Sequence, residues 1–526
     1  MRLAACAALL LLLAAKPAGA ASAFSPDVSD LWWNPEESGW GVNVTQQGDV
    51  VFATFFVYGA DGKAHWYVAS NMTTRDASDT AASFSGSLFE TSGPSFGTAF
   101  NPAAVTRREV GTATLRFTLP GTGSLAYTID GTPVTKQIRR QSWAANDASG
   151  QYTGYRATQV VAGAGCLATP GLSFSPFQGI EIAHSNASFT LRGILPDASC
   201  SFQGNYSQEG HMGASTGTYT CSNGLQGAYS LSEIAATPSG FFARYGATER
   251  GCQVVGRIGG VRTTVAATAT TASSVDLTDL WWNPKESGWG VNFVQQSNVL
   301  FATLFVYDTT GQARWFVAPD MLGAKIRDGQ RNFFTGKLYE TTGPVFQGSA
   351  FNPAAVVRRE VGPVTLEYPV AGEFAGEGIK GLFAYTVDGV KKSARLDRQT
   401  WAFNDLSGMY SGAFATQPSS PAAPCAATTG VQVFQSIDVS HSSSSFSMTA
   451  IRGAAPPTEL CRYTGTYTQA GRLGSVDGAF SCDSGAGGTF ALGGVEIGRH
   501  GVSASYRAQD RDCVVTGNFA ALRSFP

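Results

Sequence analysis

The chain is poor in charge. Asp, Glu, Lys and Arg make up 14% of its 526 residues, and the net charge is −2; a typical globular chain carries ~25%. So neutral a chain has no global field to gather nucleic acid or an anionic membrane surface, and no nucleic acid partner is expected. Histidine is scarcer still, at five residues. Zinc sites need closely spaced CxxC or HxxxH pairs, and neither spacing occurs. No EF-hand-type loop of alternating acids and no GxxxxGK[ST] phosphate loop is present. Metals and cofactors are therefore expected to be none. Helical periodicity is missing too, since no run of about 12 residues repeats its apolar positions at the helical spacing. Beyond the N-terminus no apolar run is long enough to span a bilayer as a helix.

What the chain does have is glycine (62 residues), tryptophan (10) and an N-terminal export signature. Arg2, the apolar run Ala4–Ala15 and the small residues Ala18-Gly19-Ala20 read as a secretory signal peptide over 1–23, giving a secreted or periplasmic protein with no membrane span after cleavage. Removing it takes away Cys6 and leaves eight cysteines, an even number that in an exported chain predicts disulfides.

The sequence is a tandem duplication. "DLWWNPEESGWGVN" from Asp30 returns as "DLWWNPKESGWGVN" from Asp279, and "FNPAAVTRREVG" from Phe100 returns as "FNPAAVVRREVG" from Phe351. Each half divides again. All ten tryptophans lie in modules 24–145 and 276–403, and all eight remaining cysteines lie in modules 146–262 and 404–526. The join at 263–275 contains a run of Ala, Thr and Ser that reads as a flexible linker. Two solutions to core stability argue for two domain types. In the Cys modules a symmetric hairpin predicts Cys200–Cys221 and Cys461–Cys482 bridges, leaving Cys166–Cys252 and Cys425–Cys513 as the outer pairs.

Strict alternation in "ATLRFTL" from Ala113, and Asp-Gly pairs at Asp130-Gly131 and Asp388-Gly389, read as strands joined by tight hairpins. "VVFATFFVY", Val50–Tyr58, is apolar on both faces, so one face fills a core and the other is covered by something else. The fold class expected is all-β, with four small antiparallel β-barrel or sandwich modules.

The string "ESGWGVN" followed by "TQQGDVVFATFFVYGADGK" resembles a tandem repeat module of secreted bacterial proteins. That resemblance implies export and modular tandem use and brings no activity with it. A second resemblance is to calycin-type barrels of the lipocalin and avidin kind. It implies a tryptophan on the first strand, at Gly39-Trp40-Gly41 or Gly288-Trp289-Gly290, beneath a basic residue of the last strand, Arg139-Arg140 or Arg398.

For chemistry, His184 and His441 correspond, each followed by serine, but the pattern reads as a polar strand end. Glu37 and Glu286, beside the tryptophan clusters, are the best acid candidates. Adjacent residues of a strand face opposite ways, so of Trp32 and Trp33 one is core and the other faces outward or toward a neighbouring module. Candidate ligand-binding residues are Trp32, Trp33, Glu37 and Trp66, with Trp281, Trp282, Glu286 and Trp315. The expected function is a non-catalytic binding or interaction protein whose ligand is a glycan or cell-envelope polymer. The alternatives are a glycan-active enzyme using Glu37 and Glu286, or a structural surface protein.

Overall fold

The computed structural model describes residues 26–524 except 79, 162–165, 167–170, 186, 264–275, 326–330, 348–350, 370–379, 420–429, 453–457 and 512. The signal-peptide and most of the linker reading fall outside these. The described chain is all-β, four closed eight-stranded antiparallel barrels, each an up-and-down meander whose first strand pairs with its last. Barrels rather than sandwiches form because pairing first with last strand leaves no edge to expose. Among the described residues no helix is long and apolar enough to cross a membrane.

The first Trp barrel is built from β1 (Asp30–Trp33), β2 (Gly41–Gln47), β3 (Val50–Tyr58), β4 (Ala64–Ala77), β5 (Ala81–Ser92), β6 (Thr106–Thr118), β7 (Thr122–Ile129) and β8 (Thr132–Arg140). The first Cys barrel runs from Gly150–Val161 to Cys252–Arg262, the second Trp barrel from Asp279–Trp282 to Val390–Arg398, and the second Cys barrel from Gly408–Pro418 to Cys513–Arg523. The hairpin turns at Asp130-Gly131 and Asp388-Gly389 hold both residues at positive φ, the conformation of a two-residue turn that matches strand twist.

Two domain types were expected, and one fold is found. All four barrels open on one signature: Asp27-Val28-Ser29-Asp30-Leu31-Trp32, Asp147-Ala148-Ser149-Gly150-Gln151-Tyr152, Asp276-Leu277-Thr278-Asp279-Leu280-Trp281 and Asp405-Leu406-Ser407-Gly408-Met409-Tyr410. In each, the first Asp accepts from the backbone N–H two residues on, at 2.8–2.9 Å, an Asx turn that aims the chain into the first strand. The closing aromatic then donates back four residues, Trp32 Nε1 to Val28 O at 2.9 Å and Tyr152 OH to Ala148 O at 2.7 Å. It pairs across the closure seam with the same residue type every time: Trp32 with Arg140, Tyr152 with Arg262, Trp281 with Arg398, Tyr410 with Arg523. Each guanidinium carbon lies 4.8–5.2 Å from its ring centre, a buried cation–π contact. This is the stacking that the calycin resemblance implies, with one correction. The tryptophan under Arg140 is Trp32, not Trp40. Asn34-Pro35 ends β1 and a short 3-10 turn follows, so Trp40 arrives just ahead of β2, buried but off the first strand.

The doubly apolar strand β3 is now explained. Val51, Ala53, Phe55 and Val57 are fully buried, and on the alternate face Phe56 and Tyr58 pack on Trp315 of the second Trp barrel, ring centres 5.3 and 5.6 Å away. The contact is reciprocal. Trp66 lies 5.6 and 5.7 Å from Phe305 and Tyr307, and Trp66 Nε1 donates to Val306 O while Trp315 Nε1 donates to Val57 O. Asn43 Nδ2 donates to Thr303 Oγ1 and Thr54 Oγ1 to Asn292 Oδ1, at 3.0 and 3.1 Å. Residue i of one copy meets residue j of the other and j meets i, the pattern of a two-fold interface, here made inside one chain. The Cys barrels also meet, through a smaller apolar patch that includes Tyr155, Phe242, Ala413, Ala520 and Leu522.

Disulfides join Cys200 to Cys221, Cys461 to Cys482 and Cys166 to Cys252. Cys200 stands directly opposite Cys221 in the hairpin register, as Cys461 stands opposite Cys482. Cys513 is also disulfide-bonded, while Cys425 lies outside the described residues. Bridged cysteines fit an oxidising, extracellular or envelope compartment.

Candidate functional site

Within each half, the two barrels are joined through a buried carboxylate. Asp30 and Arg140 have fully buried side chains, 2.8 Å apart. Asp30 also accepts from the backbone N–H and the ring of His211, at 2.9 and 2.8 Å, at the hairpin tip of the first Cys barrel. The tip has to be glycine at Gly210, since a Cβ there would sit 1.9 Å from the Asp30 carboxylate. In the second half Asp279 takes Arg398 and the backbone N–H of Arg472 in the same way. Burial alone would lower the His211 pKa. The charge of Asp30 and the hydrogen bond to Asp27 outweigh it and hold the imidazole up at about 9.

A cavity of about 210 Å³ opens where the barrels meet, lined by paired residues of the two halves such as Asp27 and Asp276, Gln46 and Gln295, and Asn146 and Asn404. Several of its charges pair with one another. Arg472 reaches from the second half to Asp27 and to Asp276. Arg499 and His500 of the second Cys barrel hold Glu233 of the first. Glu233 has φ +53°, where its counterpart is Gly494 at +56°; the ion pair offsets a backbone conformation that costs a non-glycine residue of order 1 kcal/mol. Burial pushes the Glu496 carboxyl up to about 8, with Asp276 adding to the rise against Arg472 and Arg398. The cavity is a keystone between halves, and its lining differs in charge between the two copies, Glu233 standing against Gly494 and His211 against Arg472.

The candidate residues separate cleanly. Trp32 and Trp281 are fully buried in barrel cores, and Trp66 and Trp315 are buried between the Trp barrels. Trp33 and Trp282 are half-buried. Trp33 stands opposite Arg139 in the closure seam and Trp282 opposite Asp397. Glu37 accepts Lys136 Nζ on both oxygens, at 3.0 and 2.8 Å, and Trp40 Nε1 at 3.1 Å. Glu286 accepts Trp289 Nε1 at 3.1 Å. His184 and His441 pack against Tyr206 and Tyr467 with the rings tilted and edge-on, ring centres 3.9 and 4.3 Å apart, and Asp147 and Asp405 are each 3.8 Å away. The paired acids Glu90 and Asp130 share Arg108, as Glu340 and Asp388 share Arg359.

Sequence reasoning passed over two strings that spell G-x-S-x-G, the nucleophile-elbow pattern: Gly93-Pro94-Ser95-Phe96-Gly97 and Gly213-Ala214-Ser215-Thr216-Gly217. The first lies in the loop after β5, where Ser95 Oγ accepts from the Gly97 backbone N–H at 3.2 Å. The second lies inside the strand Met212–Cys221, with Ser215 buried and its hydroxyl 2.9 Å from Tyr229 OH, so neither sits on the required strand-to-helix turn. It also passed over a recess beside Glu286 lined by Phe96, Phe100, Trp289, Tyr385 and Ala394. The signal was present as Lys136 in one copy against Ala394 in the other.

No family model matches the chain, and no curated protein matches it. Among solved structures it is similar to the vaccine antigen transferrin binding protein B from Haemophilus parasuis Hp5, at 12% identity over 78% of this chain and 84% of that one, with a TM-score of 0.19. It is likewise similar to intact Ap-TbpB, N and C lobes, at 10% identity over 91% of this chain and 95% of that one, with a TM-score of 0.18. Likeness at these TM-scores carries no argument; the barrel assignment rests on the strand pairing.

Proposed function

We propose that this is an exported, non-catalytic binding protein that presents two tryptophan contact sites, Trp33 and Trp282, to a glycan or cell-envelope polymer in the periplasm or outside the cell. One observation carries the reading. Of the adjacent tryptophan pair, each copy buries the first member under an arginine and leaves the second half-buried, with part of its surface open. An indole face at a surface suits the apolar face of a sugar ring, with nearby polar groups meeting its hydroxyls. The neighbours Arg139 and Asp397 differ in sign, and Arg139 is itself paired with Glu209 at 2.9 Å. Glu37 supports binding over hydrolysis, since both its oxygens are engaged by Lys136 and Trp40.

The test is a panel of neutral, acidic and amino glycans, read by tryptophan fluorescence on the full chain. Trp33→Ala with Trp282→Ala is expected to abolish the response at unchanged thermal unfolding. A response retained in that double variant would sink the reading. Turnover of any panel member, lost in Glu37→Gln with Glu286→Gln, would replace it with the enzyme alternative.

A further inference from the structure

The two Trp barrels differ at one position that changes what the space beside their conserved glutamate can hold. Lys136 of β8 pairs with Leu125, and in the same register Ala394 pairs with Phe383. In the first barrel the Lys136 side chain is 6% exposed and its ammonium lies 2.8 Å from Glu37. It sits 5.9 Å from the ring centres of both Trp40 and Phe346. Phe346 comes from the loop that the second Trp barrel extends over the first, its backbone N–H donating to Tyr58 O at 3.1 Å. The reciprocal loop brings Phe96 over the second barrel, its N–H donating to Tyr307 O at 3.1 Å. There the glutamate is Glu286 and the indole is Trp289. With Ala394 in place of lysine, a recess of about 170 Å³ remains, lined by Glu286, Trp289, Phe96, Phe100, Tyr385 and Ala394 among others. An apolar cavity of roughly this size, ~150 Å³, takes up benzene.

We propose that this recess binds a primary alkylammonium group: the side chain of a lysine from a partner, or a free alkylamine. The first barrel shows the complex, with its own Lys136 as the bound group. A carboxylate at the end of an aromatic-walled recess pairs with the ammonium, ring faces attract the same charge, and the walls cover the methylene stem. A neutral ligand of the same shape gains only the last of these. The site is separate from the tryptophan platforms, because neither Trp33 nor Trp282 lines it. Lys392 stands at the rim with its ammonium donated to Thr98 O at 3.1 Å, and among the described lining residues it is the cation that competes for Glu286.

The experiment titrates the full chain with n-butylammonium chloride, followed by calorimetry and tryptophan fluorescence, with n-butanol as the neutral comparator. Saturable binding of the ammonium is expected, with butanol weaker by about tenfold or more, the size of loss that follows from leaving a charged group without its partner. Glu286→Gln is expected to weaken binding by a similar factor. Ala394→Lys is expected to abolish it while leaving thermal unfolding equal or higher, since it rebuilds the first barrel's arrangement. Nα-acetyl-lysine amide separates the two sources: binding tighter than butylammonium assigns the site to a protein lysine, weaker binding to a free amine. Absence of saturable binding, or binding that survives both Glu286→Gln and Ala394→Lys, would overturn the proposal. So would binding that appears only in Lys392→Ala, because Lys392 would then be the resident cation. Loss of the glycan response in Trp33→Ala with Trp282→Ala leaves this titration unchanged, so the two readings fail separately.

Discussion

The Trp barrels and the Cys barrels share a strand plan and a closure seam, yet are held differently. In the Trp barrels the seam arginine meets a buried acid, Asp30 or Asp279. In the Cys barrels that position is Gly150 or Gly408, and Arg262 instead donates to Ser149 O at 2.8 Å while Arg523 donates to Tyr410 OH at 2.8 Å. At Gly150 a Cβ would sit 2.4 Å from the Arg262 guanidinium, so no acid could replace it without moving the arginine. The outer faces differ as well. The Trp barrels cover each other with Phe56, Tyr58, Trp66 and their counterparts, which adds a second layer of aromatic packing. The Cys barrels meet over a smaller, alanine-rich patch and carry disulfides. Cross-links and mutual burial are alternative ways to stabilise a small closed sheet.

The largest expected effect breaks the seam. Asp30→Ala leaves Arg140 buried without its anion and removes the acceptor for His211, and is expected to cost about 3–5 kcal/mol in urea unfolding of the full chain. Asp279→Ala should cost a similar amount; if either costs under about 1 kcal/mol, the buried pair does not hold the Trp barrels as argued. Next, Cys200→Ser with Cys221→Ser opens a bridge between residues 21 apart in sequence. It is expected to cost about 3 kcal/mol, with hydrogen exchange rising in the first Cys barrel and not in the Trp barrels. The smallest effect is alkaline and sits at the keystone. His211 is held at about 9 against its ordinary 6.5, so its contribution is complete below 6.5 and is lost as pH rises through 9. Glu496 is raised from 4.5 to about 8, so the fold favours its neutral form and also loses stability as pH rises, from 4.5 through 8. The melting temperature should fall between pH 6.5 and 9, and Glu496→Gln should flatten the part of the fall below 8. Glu233, where burial is outweighed by His500 and Arg499 and the carboxyl lies at about 2, acts at the other end. Its contribution is present above 4.5 and lost as pH falls through 2.

Much of this was legible in the residues. Alternation and Asp-Gly turns are local signals, so strands and hairpins follow from sequence periodicity. Cys200 and Cys221 could be matched because the arms of their hairpin are symmetric about its turn. The opposed faces of Trp32 and Trp33 follow from the period of a strand. The signature opening each barrel was harder to see, because its last position alternates between Trp and Tyr and its fourth between Asp and Gly, leaving the first Asp and a Ser or Thr at the third position as its steady features. The likeness emerges once each aromatic is found opposite an arginine more than 100 residues away.

By itself the sequence determined the duplication, the all-β character and the pairing of cysteines within a hairpin, since each depends on residues near one another or on direct repetition. Only the tertiary structure decided which tryptophans face solvent, because Trp66 and Trp315 are buried by the other copy rather than by their own barrel. Only it showed that Glu37 is already paired while Glu286 borders a recess, because that difference depends on β8 closing against β1 and on a loop reaching over from the other half. Burial between distant segments is set by packing, and packing has no local signature in the chain.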